Sequence, residues 1–162
     1  MNCTDAQHSS PASHLTQVFP YLRRTPRGRF VVPSGLVVTP DYNMRGNIGE
    51  ALLLCGMAPV FSASIADAAF HLATSSISFI VCQHRLPDGS YDELLSISRA
   101  SATPPPLVVI STTGDWPDYF EAIDRGAYDF LAYPLIPGEL QRIVSAYLKL
   151  NFVTALQHGN SD

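Results

Sequence analysis

The residues of this chain that could carry chemistry are few and widely spaced. A hydroxyl-rich stretch, Ser-Thr-Thr-Gly-Asp at 111–115, follows an apolar run and offers the donors that phosphate-binding loops use. Cys3, Cys55 and Cys82 are odd in number and form no CxxC pair. Cys55 and Cys82 fall on apolar faces, which favours buried, reduced thiols. Lys149 is the only lysine, so any mechanism that needs a lysine elsewhere is excluded.

The composition fits one domain with a tail. The chain has 162 residues, of which 46% are hydrophobic and only 15% charged, and its formal net charge is −4. That hydrophobic fraction is enough for a buried core and excludes global disorder. Residues 1–34 carry four arginines against one aspartate, a net charge of +3, and the remainder carries −7. An acidic body argues against nucleic-acid binding, which needs a basic face.

We predict three segments. Residues 1–34, rich in Ser, Thr, Pro and Arg, are typical of a flexible leader, although 30–32 is a short β-prone run. Residues 35–151 form the domain, and 152–162 extend its last helix and end as a tail. The chain starts with no secretory pattern, and no apolar run approaches the roughly 18 residues of a membrane span. We therefore expect a cytoplasmic protein with no membrane partner.

From residue 35 the pattern alternates between two kinds of segment. Short apolar runs, typical of strands buried on both faces, occur at 36–38, 59–62, 79–82, 107–110 and 129–131. Helical stretches follow these runs, and the clearest has apolar residues at i, i+3, i+4, i+7 and i+8 from Leu140 to Leu148. Ser64 is a predicted helix cap with Asp67 three residues on, and Gly126 ends the fourth helix. Five strands alternating with five helices predict a doubly wound parallel α/β sheet.

Functional side chains in such a sheet lie in the loops that follow the strands. Ligands bind outside the carboxyl ends of the strands, near the point where the strand order reverses. In this chain the five loops begin at Thr39, Ala63, Gln83, Ser111 and Ala132. We expect any site of this protein among them.

Three motifs carry a resemblance to a known family. They are Arg-Leu-Pro-Asp-Gly at 85–89, the strand 107–110 ending in Ser111, and Gly-Ala-Tyr-Asp-Phe-Leu-Ala-Tyr-Pro at 126–134. Together and in order, across residues 35–151, they resemble a bacterial response-regulator receiver domain of the nitrogen-regulatory type. The resemblance implies a (βα)5, flavodoxin-like architecture with strand order 2-1-3-4-5.

The resemblance also implies a chemistry, which is phosphoryl transfer from a kinase histidine to an aspartate at the end of the third strand. The family's site adds two acidic residues after the first strand, Ser or Thr after the fourth and lysine after the fifth. Together these bind Mg²⁺ and neutralise the transferring group. Here Thr39 and Pro40 replace the acidic pair, Gln83 replaces the acceptor, Tyr133 replaces the lysine, and only Ser111 is kept. We therefore expect a pseudo-receiver that is not an enzyme, with no metal site and weak or absent Mg²⁺ binding.

Two alternatives stay open at this point. Asp41 or Asp88 could serve as a non-standard phospho-acceptor, although Asp41 is also typical of a helix cap and Asp88 of a turn before Gly89. His84, next to Gln83, is interpreted as polar surface. The hydroxyl loop resembles the FMN phosphate loop of flavodoxins, but theirs follows the first strand and this one the fourth. A flavodoxin-like small-molecule site is therefore the weaker alternative.

The resemblance also indicates a surface. In receivers the hydroxyl after strand four couples to an aromatic on strand five and alters the face formed by helix four, strand five and helix five. Phe130 stands at that aromatic position, as a switch or simply as a core residue, and Pro134 is a candidate for a cis peptide bond. Aromatic residues suited to an interface lie in or near this face: Tyr119, Phe120, Tyr128 and Tyr133. We predict that it binds a signalling protein (a kinase, a transcription factor or another regulator) or a second copy of the chain.

Overall fold

A computed structural model describes residues 23–24 and 27–158, with side chains from 27 to 151. Five parallel strands form its main sheet, and we number them β1 to β5 in chain order. They are Ser34–Val38, Ala58–Ser62, Ile77–Gln83, Leu107–Ser111 and Asp129–Ala132. Their spatial order is β2-β1-β3-β4-β5, which confirms the predicted doubly wound sheet and its strand order.

Five helices, numbered α1 to α5, cover both faces of the sheet. They are Tyr42–Leu54, Ile65–Thr74, Tyr91–Arg99, Trp116–Arg125 and Glu139–His158. Helices α1 and α5 pack on one face, and α2, α3 and α4 supply the core of the other. Successive strand side chains point to opposite faces, so Val37 and Val81 join the α1–α5 core and Leu36 and Ile80 join the other. Burial on both faces explains why the strands are continuous apolar runs.

Two helix ends form as their local sequences predict. The Ser64 hydroxyl accepts a hydrogen bond from the Asp67 amide at 3.2 Å and so caps α2. Gly126 follows α4 with φ of 99°, a left-handed conformation that glycine adopts at little steric expense. Ser64 thus fixes where α2 begins after β2, and Gly126 fixes where α4 ends before β5.

The structure changes one detail of the sequence interpretation. The β-prone run does not join the sheet, because Phe30–Val31 pairs antiparallel with Arg23–Arg24 in a separate ribbon. Helix α5 runs continuously to His158 and so includes part of the predicted helix extension beyond residue 151. Most of the predicted leader, residues 1–22 with Cys3, lies outside the described residues, and the domain boundaries stay predictions.

The two described thiols are free and buried, as the sequence predicts. Burial raises the pKa of Cys82 far above its usual range, and burial also raises the pKa of Cys55. Both groups therefore stay protonated and unreactive at neutral pH. None of the helices within residues 27–158 combines the length and apolarity needed to cross a membrane.

Alanine substitutions at two glycines near or in α1 are expected to change the free energy of unfolding in opposite directions. A Cβ added to Gly35 in β1 would lie 2.7 Å from Met57 Sδ and 2.8 Å from Leu52 Cδ1, and both of these side chains are buried. Gly35→Ala is expected to lower the free energy of unfolding by about 1–3 kcal/mol through overpacking. Gly46 lies inside α1, and no described atom comes within 4 Å of its added Cβ.

Gly46→Ala is the matched control. Because alanine favours a helix interior over glycine, it is expected to raise the free energy of unfolding by about 0.5–1 kcal/mol. Urea denaturation followed by circular dichroism measures both changes. Two substitutions that shift stability in the same direction would contradict the packing described here.

Candidate functional site

The predicted site residues meet at one edge of the sheet. Thr39 directly follows β1, Gln83 ends β3, Ser111 ends β4 and Tyr133 follows β5. The ladder continues into these loops, since the Tyr133 amide donates to the Ser111 carbonyl oxygen at 2.8 Å. Parallel strands bring all four residues together because their carboxyl ends share this edge.

Thr39 and Gln83 form a direct hydrogen bond across the two central strands. The Thr39 hydroxyl donates to Gln83 Oε1 at 2.6 Å and accepts from the Asp41 amide at 3.1 Å. Thr39 is fully buried, and its hydroxyl has a partner inside the protein both as a donor and as an acceptor. Two of the three positions where the resemblance implies carboxylates thus hold a neutral donor–acceptor pair.

Ser111 turns its hydroxyl into its own loop. Its Oγ lies 2.9 Å from the Thr113 hydroxyl and accepts longer hydrogen bonds from the Thr113 and Gly114 amides, at 3.3 and 3.5 Å. Ser111 is itself buried. The one family side chain that this chain keeps is therefore engaged in shaping the β4–α4 loop.

Tyr133 occupies the lysine position and is anchored by a residue that the sequence interpretation missed. The Tyr133 hydroxyl accepts a hydrogen bond from Asn47 Nδ2 of α1 at 2.9 Å. The peptide bond from Tyr133 to Pro134 is cis, as predicted. Because the two residues are 86 positions apart, no local pattern could have paired Asn47 with Tyr133.

Two charged side chains near this edge form hydrogen bonds with backbone groups. The Asp41 carboxylate accepts from the Met44 amide at 2.8 Å and caps α1, and Arg45 Nε donates to the Thr39 carbonyl oxygen at 2.7 Å. Pro40, which lies between Thr39 and Asp41 in the chain, is exposed. Across the side chains that the structure describes, no three His, Cys, Asp or Glu residues gather in a way that could hold a metal ion. The side chains that meet at this edge are hydroxyls (Thr39, Ser111), an amide (Gln83) and a phenol (Tyr133).

Asp88 has a specific role that its turn position did not reveal. Its two carboxylate oxygens accept hydrogen bonds from the Ile65 and Ala66 amides, at 2.9 and 3.1 Å. It therefore caps the start of α2 from the β3–α3 loop, beside the Ser64 cap. These backbone hydrogen bonds hold the pKa of Asp88 below its usual range.

His84 is not the polar surface residue that the sequence suggested. Its side chain is only 14% exposed and packs against Tyr91, with ring centroids 5.4 Å apart, and against the edge of Phe130 at 6.1 Å. Phe130 is buried and also meets Tyr119 edge-on at 6.1 Å. The aromatic expected to act as a switch thus lies in the core, between His84 of the acceptor loop and Tyr119 of α4.

The predicted interface aromatics separate into different regions. Tyr119 and Phe120 lie on α4 beside Trp116, which the sequence interpretation missed although it stands four residues before Phe120. Trp116 is 73% exposed and Phe120 61% exposed. Tyr128 lies away from them, against Phe79 and Tyr147. The exposed aromatic surface is therefore a feature of α4.

Comparison with known proteins finds sequence relatives among bacterial regulators. The chain is 28% identical over 110 residues to the C4-dicarboxylate transport transcriptional regulatory protein DctD of Rhizobium meliloti, covering 67% of this chain and 24% of that protein. It is 29% identical over 111 residues to the swarming motility regulation protein RssB of Serratia marcescens, covering 68% and 51%. The chain thus spans between about a quarter and a half of the length of these curated relatives. No protein-family model matches the sequence.

Solved structures share the fold. The Francisella response regulator 1452 receiver domain is 23% identical, with a TM-score of 0.66 over 74% of this chain and 98% of that one. The beryllofluoride-activated NtrC4 receiver domain dimer is 20% identical, with a TM-score of 0.66 over 72% and 97%. The chain is thus similar in sequence to parts of bacterial regulatory proteins, and it shares its fold with response-regulator receiver domains.

The Asp88 cap predicts a pH-dependent stability. Its pKa is lowered in the folded state, so its contribution is complete above the unfolded pKa of about 4 and is lost as the pH falls below it. Asp88→Asn is expected to destabilise the protein at pH 7 and to differ less from wild type at pH 3. Thermal unfolding across that range measures the difference, with Glu50→Gln on the exposed face of α1 as the matched control. A difference that stays constant with pH would contradict the ionised cap.

Proposed function

We propose that this protein is a phosphorylation-independent receiver module of a two-component or phosphorelay pathway, and that it acts by binding other proteins. The observation that carries the proposal is the hydrogen bond from Thr39 to Gln83 Oε1. It joins two of the three positions at which phosphoryl transfer would need carboxylates, and it leaves neither of them charged. The nitrogen-regulatory type suggested by the motifs belongs to the same proposal.

The chemistry of the side chains supports a non-enzymatic role. An amide such as that of Gln83 cannot form an acyl phosphate. Mg²⁺ prefers carboxylate oxygens, and a transferring phosphoryl group needs a nearby cation. Thr39, Pro40 and Tyr133 supply none of these charges, so we propose weak or absent Mg²⁺ binding. A cytoplasmic location is part of the proposal.

The α4 surface supports a role in protein binding. Trp116 and Phe120 are exposed, stacked on each other with ring centroids 6.2 Å apart, and joined to the core through Tyr119 and Phe130. Large aromatics at this exposure are favoured at the centres of protein interfaces. The related NtrC4 receiver domain was solved as a dimer. We propose that a kinase, a transcription factor, another regulator or a second copy binds here.

Incubation with acetyl phosphate and Mg²⁺ tests the lost chemistry. The wild-type protein is expected to gain no base-labile phosphoryl group, and Gln83→Asp alone is expected to gain none, because the metal-binding carboxylates and the cation are still absent. A variant that also carries Thr39→Asp, Pro40→Asp and Tyr133→Lys is expected to be labelled. Intact-protein mass spectrometry measures the product, and circular dichroism checks that each variant folds.

Stoichiometric labelling of the wild-type protein would contradict the proposal. If Asp41→Asn or Asp88→Asn removed that label, the substituted residue would be the non-standard acceptor. A yellow absorbance spectrum of the purified protein would instead favour the flavodoxin-like alternative, since bound flavin is coloured.

Substitution of the exposed aromatics tests the α4 surface. Trp116→Ala with Phe120→Ala is expected to raise the dissociation constant for self-association at least about tenfold, because aromatic anchors dominate interface energies. Sedimentation velocity measures this constant. Phe70→Ala, a comparably exposed aromatic on α2, is the matched control. A strictly monomeric wild type, or an equal effect of Phe70→Ala, would contradict dimerisation through α4.

A further inference from the structure

A polar groove lies between the start of α3 and α4, beside the β3–α3 loop. Its volume is about 470 Å³, and we call it the α3–α4 groove. Its lining includes His84, Tyr91, Asp92, Asp118, Glu121 and Arg125, together with the exposed Arg85. None of the proposed receiver-site residues, such as Thr39 or Gln83, lines it, although His84 follows Gln83 in the chain.

One buried group in this groove has no partner. Tyr91 is 3% exposed, and its hydroxyl has no hydrogen-bond partner among the described residues. Leaving a buried hydroxyl unpaired is unfavourable unless something satisfies it. Tyr91 lines the groove, and the charges of Arg125, Glu121, Asp92 and Asp118 act on its hydroxyl. Burial raises the pKa of Tyr91, so the phenol stays protonated and neutral.

The carboxylates of the groove differ in their hydrogen-bond partners. Arg125 donates to Glu121 Oε1 at 2.6 Å and to Asp92 Oδ2 at 3.1 Å, which pairs those two groups. Among the described residues, the Asp118 carboxylate has only His84 Nδ1 as a partner, at 3.8 Å, which is longer than a hydrogen bond. Two acceptors of the groove lining are therefore unfilled: the Asp118 carboxylate and the buried Tyr91 hydroxyl oxygen.

We propose that the α3–α4 groove binds a guanidinium group. A planar guanidinium has five donors in a fixed fork, which suits a carboxylate and a second oxygen acceptor together. An ammonium ion has a compact charge and lacks this fixed planar fork. The half-exposed Arg125 side chain, paired with Glu121 and Asp92, flanks the ligand position.

A guanidinium could come from a free amine such as agmatine or from an arginine of a partner protein. Isothermal titration of the whole chain with agmatine and with a capped Gly-Arg-Gly peptide distinguishes the two sources. Saturable binding of either probe is expected, and the probe that binds more tightly identifies the source. Putrescine, which has the same kind of chain and two ammonium groups, is expected to bind at least roughly tenfold more weakly.

Variants link the binding to the two unfilled acceptors. Asp118→Asn and Tyr91→Phe are each expected to weaken binding of the preferred probe roughly tenfold. Tyr91→Phe keeps the ring, so its melting temperature is expected to equal or exceed that of wild type. Asp124→Asn makes the same charge change on α4 outside the groove and is expected to bind as wild type does.

Three outcomes would overturn the proposal. The first is that neither probe binds saturably, and the second is that putrescine binds as tightly as agmatine. The third is that Asp124→Asn weakens binding as much as Asp118→Asn does. The phosphoryl-transfer experiments have no bearing on these outcomes, because the groove shares none of the substituted residues.

Discussion

The hydrogen bond between Thr39 and Gln83 gives the carboxyl edge of the sheet a neutral pair where a charged site would need a cation. It joins the ends of β1 and β3, the two strands at which the chain reverses its winding direction. Two carboxylates this close would repel each other and would need a cation between them. A hydroxyl and an amide need none, because each satisfies the other. The remaining groups of the edge follow the same principle, since Ser111 bonds within its loop and Tyr133 bonds to Asn47.

Packed aromatic rings connect this edge of the sheet to helix α4. Gln83 is followed by His84, whose ring contacts Phe130, and Phe130 contacts Tyr119 of α4. This row of packed rings connects the β3–α3 loop to the exposed aromatic surface of α4. In a tightly packed interior such contacts define one arrangement rather than a range of them. The α4 surface is therefore connected to the core through these rings, and this connection is consistent with the proposed binding role.

Much of the fold could be predicted because its signals are local. The strands are apolar runs bounded by turns, Ser64 and Gly126 act on their own helices, and the strand ends alone place Thr39, Gln83 and Ser111 at one edge. The roles that the sequence did not reveal depend on long-range packing. Asp88 caps a helix that begins 23 residues earlier, Asn47 meets Tyr133 across 86 residues, and His84 becomes buried because α3 and β5 supply Tyr91 and Phe130. Local patterns carry no information about such pairs.

The most direct test of the account is whether the carboxyl edge responds to a phosphoryl mimic. An amide-resolved NMR spectrum, recorded before and after addition of Mg²⁺ and beryllofluoride, reports on Thr39, Gln83 and Ser111 separately. The account predicts that these amides keep their positions at every concentration of the mimic, because the edge lacks the carboxylates and the cation that would hold it. Saturable shifts at Gln83 and Ser111 that spread to Phe130 and α4 would contradict it.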